Sequence, residues 1–129
     1  MLYISEDRQK YQIINLTRGD DAVLEVPLKN IKDEDFVLSD TDYLIFSIRV
    51  LPRKSSKLVL QIESAPGSNR IVFRHEDTAG LKVGKYSAEV QMMSGGKRFT
   101  VWPKLTGNLK IDETLNRNNF ILMPEVVYE

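Results

Sequence analysis

Residues 43–51, "YLIFSIRVL", show the pattern that decides the fold. Every second residue is apolar, and together these residues form one face of an extended segment: Leu44, Phe46, Ile48 and Val50. Ser47 and Arg49 lie on the opposite face. Such alternation is typical of a β-strand with one face in a core and the other toward water. The stretch therefore predicts a half-buried strand.

The same alternation recurs along the chain, in residues 22–28, 57–64, 70–75, 85–92 and 97–102. Turn residues separate these segments, among them Pro66-Gly67 and the Gly95-Gly96 pair of a predicted hairpin. One helical turn is plausible, beginning near Asp77 or Thr78 and stopped by Gly84. Short strands at regular spacing predict an all-β fold, an immunoglobulin-like antiparallel β-sandwich of about seven to nine strands with one short helical turn.

The inward-facing positions of these strands predict the core. It comprises Leu24, Val26, Leu44, Phe46, Ile48, Leu60, Ile62, Ile71, Phe73, Tyr86, Ala88, Val90, Phe99 and Val101. A slip of one residue in any strand would turn its predicted face outward, so this set also states the register of each strand.

The C-terminal stretch differs from the rest, and we assign residues 1–112 to the sandwich and residues 113–129 to an appendage. In "FILMPEVVY" seven of nine residues are apolar, too many for a free tail in water. Pro124 divides it into two extended pieces that suit a sheet edge, either of this domain or of another subunit. The predicted interface residues are Phe120, Ile121, Leu122, Met123, Val126, Val127 and Tyr128.

Composition excludes several classes of protein. The 129 residues fit one domain, and the 18 basic and 18 acidic residues cancel. A net charge of zero gives no electrostatic reason for a nucleic-acid or anionic-membrane partner, and it is compatible with a homo-oligomer. The chain has no cysteine, which excludes disulfides, a thiolate zinc site and a cysteine nucleophile. Without a signal peptide or a membrane-spanning run, we expect a soluble protein made in the cytoplasm.

No stretch of the sequence predicts catalysis, a cofactor or a bound metal. His75 is the only histidine, and no serine elbow accompanies it. Gly84-Lys85 lacks the earlier glycine of a phosphate-binding loop, and the acidic run at 33–35 lacks the spaced ligands of a calcium loop. We therefore expect a protein that is not an enzyme.

Four stretches, in order, carry a resemblance to a known family. They are "TRGDDA" (17–22), "SDTDYLIFSIRV" (39–50), "NRIVFRHEDTAGLKVGKYSAEVQMMSGGKRFTV" (69–101) and "GNLKI" (107–111). Together they resemble the N-terminal domain of the phage baseplate upper protein and its relatives in tailed phages and prophages of Gram-positive bacteria. The resemblance covers about residues 11–111. Its most specific part is Asp77-Thr78 with Leu81, Gly84 and Tyr86, and His75 departs from it where the family pattern has proline.

The resemblance implies a structural protein of the virion, located in the tail or baseplate. Its partners would be other virion proteins or copies of itself. The alternative is a carbohydrate- or cell-surface-binding module of similar architecture, in which Trp102 and Tyr128 could stack on a sugar. A hydrolase built on a sandwich is a second alternative, and it would need a pocket with converging carboxylates.

The resemblance also bears on Arg18-Gly19-Asp20, the tripeptide that integrins recognise. It favours a structural turn, in which Gly19 supplies a positive φ and Asp20 accepts backbone N–H groups. Arg18 would reach neighbouring carboxylates. Asp77-Thr78 would cap the helical turn, and Tyr86 resembles the tyrosine corner of Greek-key sandwiches.

Overall fold

The structure is a computed structural model that describes residues 1–6, 12–29, 32, 34–50, 57–102 and 119–125. Within these ranges the chain forms nine strands and one helix. They are β1 (Leu2–Glu6), β2 (Gln12–Thr17), β3 (Ala22–Glu25), β4 (Tyr43–Val50), β5 (Leu58–Glu63), β6 (Arg70–Phe73), α1 (His75–Ala79), β7 (Gly84–Ser94), β8 (Lys97–Trp102) and β9 (Phe120–Met123). The predicted all-β sandwich with one short helix is confirmed.

The strands form two sheets of unequal size. The large sheet has seven strands in the order β1-β2-β9-β7-β4-β5, and β8 also pairs with β7. The small sheet consists of β3 and β6, paired antiparallel. Within the large sheet every pairing is antiparallel except that of β2 with β9, which is parallel.

Strand β7 organises the large sheet, because its 11 residues are long enough for three partners. One edge pairs with the whole of β4. Along the other edge, its first residues pair with β9 and its last residues pair with β8. The hairpin predicted at Gly95-Gly96 joins β7 to β8, and both glycines have positive φ.

Three phenylalanine rings from three strands meet in the core between the sheets. Phe46 of β4 and Phe73 of β6 pack edge-to-face, with ring centroids 5.1 Å apart. Phe120 of β9 lies 5.9 Å from the first and 6.4 Å from the second. All three side chains are fully buried, and burial of each contributes about 1.5–3 kcal/mol.

Ten of the fourteen predicted core residues are buried. Leu60, Ile62 and Val101 are half-buried and pack against the core. The prediction is wrong for Phe99, which is 46% exposed, and Val50 on the predicted apolar face of β4 is also exposed. A second sheet of only two strands cannot cover every inward-facing position of a sheet of seven.

The C-terminal strand has an unexpected position. Residues 120–123 form β9, which lies between β2 and β7 in the interior of the large sheet. Phe120 and Leu122 are fully buried in the core. These residues are therefore an internal strand of the domain, not an appendage to it. Val126, Val127 and Tyr128 lie outside the described residues.

Candidate functional site

Two of the stretches that carry the resemblance contact each other and Glu125 after β9, whereas residues 107–111 lie outside the described residues. We call this group the turn cluster: residues 18–21 after β2, residues 75–81 of α1 and the turn that follows, and Glu125 after β9. The three segments are separated by up to 107 residues along the chain. Their contacts include specific hydrogen bonds and ion pairs.

The first contact of the turn cluster joins Gly19 to Thr78. The Gly19 backbone N–H donates to Thr78 Oγ1 at 2.9 Å, and the Thr78 side chain is fully buried. Gly19 has a φ of 81°, a conformation that L side chains rarely adopt. The positive φ favours glycine at position 19, and the hydrogen bond from its N–H requires a hydroxyl at position 78.

Arg18 connects the turn cluster to the end of β9. Its Nε and Nη2 atoms donate to the two carboxylate oxygens of Glu125 at 2.8 and 2.7 Å, and Nη1 donates to the Leu81 carbonyl at 3.3 Å. The hydrogen bonds from Arg18 hold the pKa of Glu125 below its usual range, and the pKa of Arg18 is raised in turn. A bidentate pair of this kind fixes orientation as well as distance.

The two aspartates after Gly19 have separate partners. The Asp20 carboxylate pairs with the N-terminal ammonium of Met1, and not with N–H groups of its own turn as the sequence predicts. Asp21 Oδ1 accepts from the backbone N–H of His75 at 2.6 Å and lies 3.1 Å from His75 Nδ1. The backbone hydrogen bond from His75 lowers the pKa of Asp21.

Helix α1 begins earlier than the sequence predicts. It starts at His75 and includes Asp77 as its third residue. The Asp77 carboxylate reaches back and accepts from the Arg74 backbone N–H at 2.8 Å, while the Asp77 N–H donates to the Arg74 carbonyl at 2.9 Å. Asp77 therefore stabilises the start of the helix, whereas the Thr78 hydroxyl binds Gly19 instead of capping.

Tyr86 has the contact predicted for a tyrosine corner. Its hydroxyl donates to the backbone carbonyl of Lys82, and burial raises the pKa of the phenol. Its ring packs against Phe120, with centroids 6.2 Å apart. Gly84, with a φ of 148°, begins β7 and thus sits where the connection ends.

Beside the turn cluster lies an open depression of about 430 Å³ on the outer side of the small sheet. It is lined by Asp21, Ala22, Val23, Val72, Phe73, Arg74, His75 and Glu76. None of these residues carries a hydroxyl or thiol that could act as a nucleophile. In the described ranges no group of three or more histidine and acidic residues could hold a metal ion, and no helix there is long and apolar enough to cross a membrane.

The exposed aromatic residues in the described part of the chain lie on separate elements. Tyr3 lies on β1, Phe36 precedes β4, and Phe99 lies on β8. Strands β1 and β8 are not neighbours in the sheet. Trp102, a candidate for stacking, is buried and donates from Nε1 to Gln12 Oε1 at 2.8 Å. Tyr128, the other candidate, is outside the described residues.

Neither a scan against protein-family models nor searches of curated proteins and of solved structures found a match to this chain.

Sequence reasoning missed two partners in the turn cluster. Glu125 and Asp21 are ordinary exposed carboxylates, and nothing near either of them in the sequence points to Arg18 or His75. The pairing of Arg18 with Glu125 follows from the placement of β9 beside β2. Only knowledge of that parallel pairing could have predicted it.

Proposed function

We propose that this chain is a structural component of a phage or prophage tail or baseplate, acting by docking to other virion proteins or to copies of itself. The observation that supports the proposal is the turn cluster. Gly19 contacts Thr78 directly, Arg18 contacts Leu81, and the Tyr86 corner follows in the same connection. The most specific positions of the resemblance thus belong to one structural unit, which is expected if they define a fold shared with that family.

The same contacts favour a structural role for Arg18-Gly19-Asp20. An adhesion ligand needs its arginine and aspartate side chains available to the receptor. Here the Arg18 guanidinium is held by Glu125 and Leu81, and the Asp20 carboxylate pairs with the Met1 ammonium. These internal partners support a turn that joins parts of the fold.

Docking also accounts better for the described surface than the two alternatives do. The depression beside the turn cluster has no serine, threonine or cysteine in its lining, so it lacks the nucleophile of a serine or cysteine hydrolase. The exposed aromatics lie on separate elements, which disfavours a glycan platform. Val23 and Val72, exposed side by side on the small sheet, offer an apolar surface to another protein.

The direct test is to look for the chain in virus particles. A culture of the source bacterium is treated to induce its prophages, particles are purified on a density gradient, and tail fractions are analysed by mass spectrometry. We expect peptides of this chain to co-sediment with tails and to be absent from mock-induced fractions. Recovery only from the particle-free lysate would contradict the proposal.

A binding experiment separates the main alternative. The purified chain is mixed with insoluble cell-wall glycan and centrifuged, with a protein of similar size and charge as control. A docking protein stays in the supernatant. Specific pelleting that free oligosaccharide competes away would favour the surface-binding module instead.

A further inference from the structure

The outer face of the small sheet combines exposed apolar side chains with complementary charges. Val23 of β3 lies directly opposite Val72 of β6, and the two are 51% and 48% exposed. Next to them, exposed Glu25 lies opposite exposed Arg70. Within the described ranges neither charge forms an ion pair, and no third strand is hydrogen-bonded to β3 or β6.

On each strand of this sheet, the residues with exposed side chains also direct their backbone N–H and C=O groups away from the partner strand. The Val26 N–H donates to the Asn69 carbonyl at 2.9 Å, one step beyond the end of the ladder. Because hydrogen-bonded and non-bonded pairs alternate in an antiparallel ladder, Val23 and Val72 form a non-bonded pair, as do Glu25 and Arg70. Their N–H and C=O groups are therefore directed away from the partner strand.

The two edges differ in charge. The β3 edge presents Val23 followed by Glu25, with Asp21 before them, whereas the β6 edge presents Val72 between Arg70 and Arg74. One edge is acidic around a valine and the other is basic around a valine. The outward backbone groups of an edge strand are a template for pairing with another strand, and on β6 the Arg70 N–H already donates to the neighbouring Ser68 Oγ at 3.2 Å.

We propose that a second copy of this chain docks its β3 antiparallel along β6, with Val23 opposite Val72 and Glu25 opposite Arg70. This register brings the outward-pointing backbone groups of both strands face to face. Pairing β3 with β3 around the valine would instead oppose Glu25 with Asp21. Pairing β6 with β6 would oppose Arg70 with Arg74, and like charges directly opposite each other destabilise a strand pair.

The interface is heterologous, because β3 of one copy contacts β6 of the next. In a pair, one copy keeps its β3 edge unoccupied and the other keeps its β6 edge unoccupied. Further copies can therefore add at both ends through the same contact. Such interfaces close into rings when the rotation between copies allows it and otherwise extend into filaments. The inference rests on strand geometry and charge, and it stands whether or not the chain belongs to a virion.

The test uses charge reversal in full-length chains. Glu25→Arg makes both edges basic, and Arg70→Glu makes both edges acidic. We expect wild-type mass in sedimentation velocity to rise with concentration, and each variant alone to lose at least about tenfold in association constant because like charges then meet. In a 1:1 mixture of the variants every β3 edge again finds a β6 edge of opposite charge, so association returns.

Controls separate this contact from general electrostatics. E63R and K85E make the same charge changes at exposed positions of the large sheet, and they should associate as the wild type does. Circular dichroism checks the fold of each chain. If a charge reversal unfolds the chain, V23K and V72K apply the same test, since both side chains are half exposed, and their loss of association would support the contact.

Several results would overturn the proposal. One is a wild type that stays monomeric up to its solubility limit. Others are single variants that associate as well as the wild type, or a mixture that stays monomeric when each single variant is folded. Equal loss of association in E63R or K85E would also overturn it.

Discussion

Strand β4 of the large sheet and strand β3 of the small sheet read alike in sequence but differ in the structure. On β4, Phe46 enters the core, and Ser47 on the opposite face is only 5% exposed. On β3, Leu24 enters the core, and apolar Val23 on the opposite face is half exposed. Burial thus follows the position of a strand in the sandwich rather than the polarity of its outward residues.

The largest expected effect lies on the β4 side of this comparison. Phe46→Ala should destabilise the chain by about 3–5 kcal/mol, because it removes a fully buried ring from the three-phenylalanine cluster. Urea denaturation followed by circular dichroism measures the change. A loss below about 1 kcal/mol would mean that the two sheets are not packed on this ring.

The next effect concerns the buried hydroxyl of Thr78 in the turn cluster. Thr78→Val keeps the shape of the side chain but leaves the Gly19 N–H without its acceptor, which should cost about 1–3 kcal/mol. Thr100→Val makes the same change at an exposed strand position and should cost much less. Equal melting temperatures for the two variants would argue against a structural role of the turn cluster.

A smaller effect is expected at the exposed ion pair of Arg18 with Glu125, and it depends on pH. The pKa of Glu125 is lowered in the folded state, so its contribution to stability is present above the ordinary value of 4.5 and is lost as pH falls through the lowered folded value. The stability difference between the wild type and Glu125→Gln should therefore shrink in acid.

Thermal melts of both chains across the acid range measure this difference. Glu63→Gln, at an exposed position without an ion pair in the described residues, is the matched control and should follow the wild type. A difference for Glu125→Gln that stays constant down to the lowest pH at which the chain folds would argue against the ion pair.

The smallest change in stability is expected on the β3 side of the comparison. Val72 is half exposed on the outer face of the small sheet, so Val72→Thr should change the free energy of unfolding by no more than about 0.5 kcal/mol. Val90→Thr places the same hydroxyl in the core and should cost about 1–3 kcal/mol. Similar costs at the two positions would mean that the outer face of the small sheet is covered within the chain.

The sequence predicts those features that depend on local alternation. Strands β3 to β8 follow from it, whereas the helix near Asp77 follows from its start and stop residues and the hydrogen bond of Tyr86 from the likeness to a tyrosine corner. Strand β2 was missed although Ile14 and Leu16 alternate with polar residues, and this signal was available.

The remaining features depend on contacts between distant segments, which no local pattern encodes. The run beginning at Phe120 looks like an apolar tail until β2 and β7 are known to flank it. Whether Phe99 is covered depends on how many strands the small sheet has. The alternation within one strand does not predict that number. Glu125 was missed for the same reason, since its partner Arg18 is reached only through β9.

The place of β9 between β2 and β7 has a consequence for synthesis. A ribosome makes β2 long before β9, although the two strands are neighbours in the sheet and Ile14 pairs with Phe120. Until β9 emerges, the nascent chain carries two strand edges and an unfilled place in the core where Phe120 belongs. Contacts so distant in sequence also slow folding, because a long loop must close first.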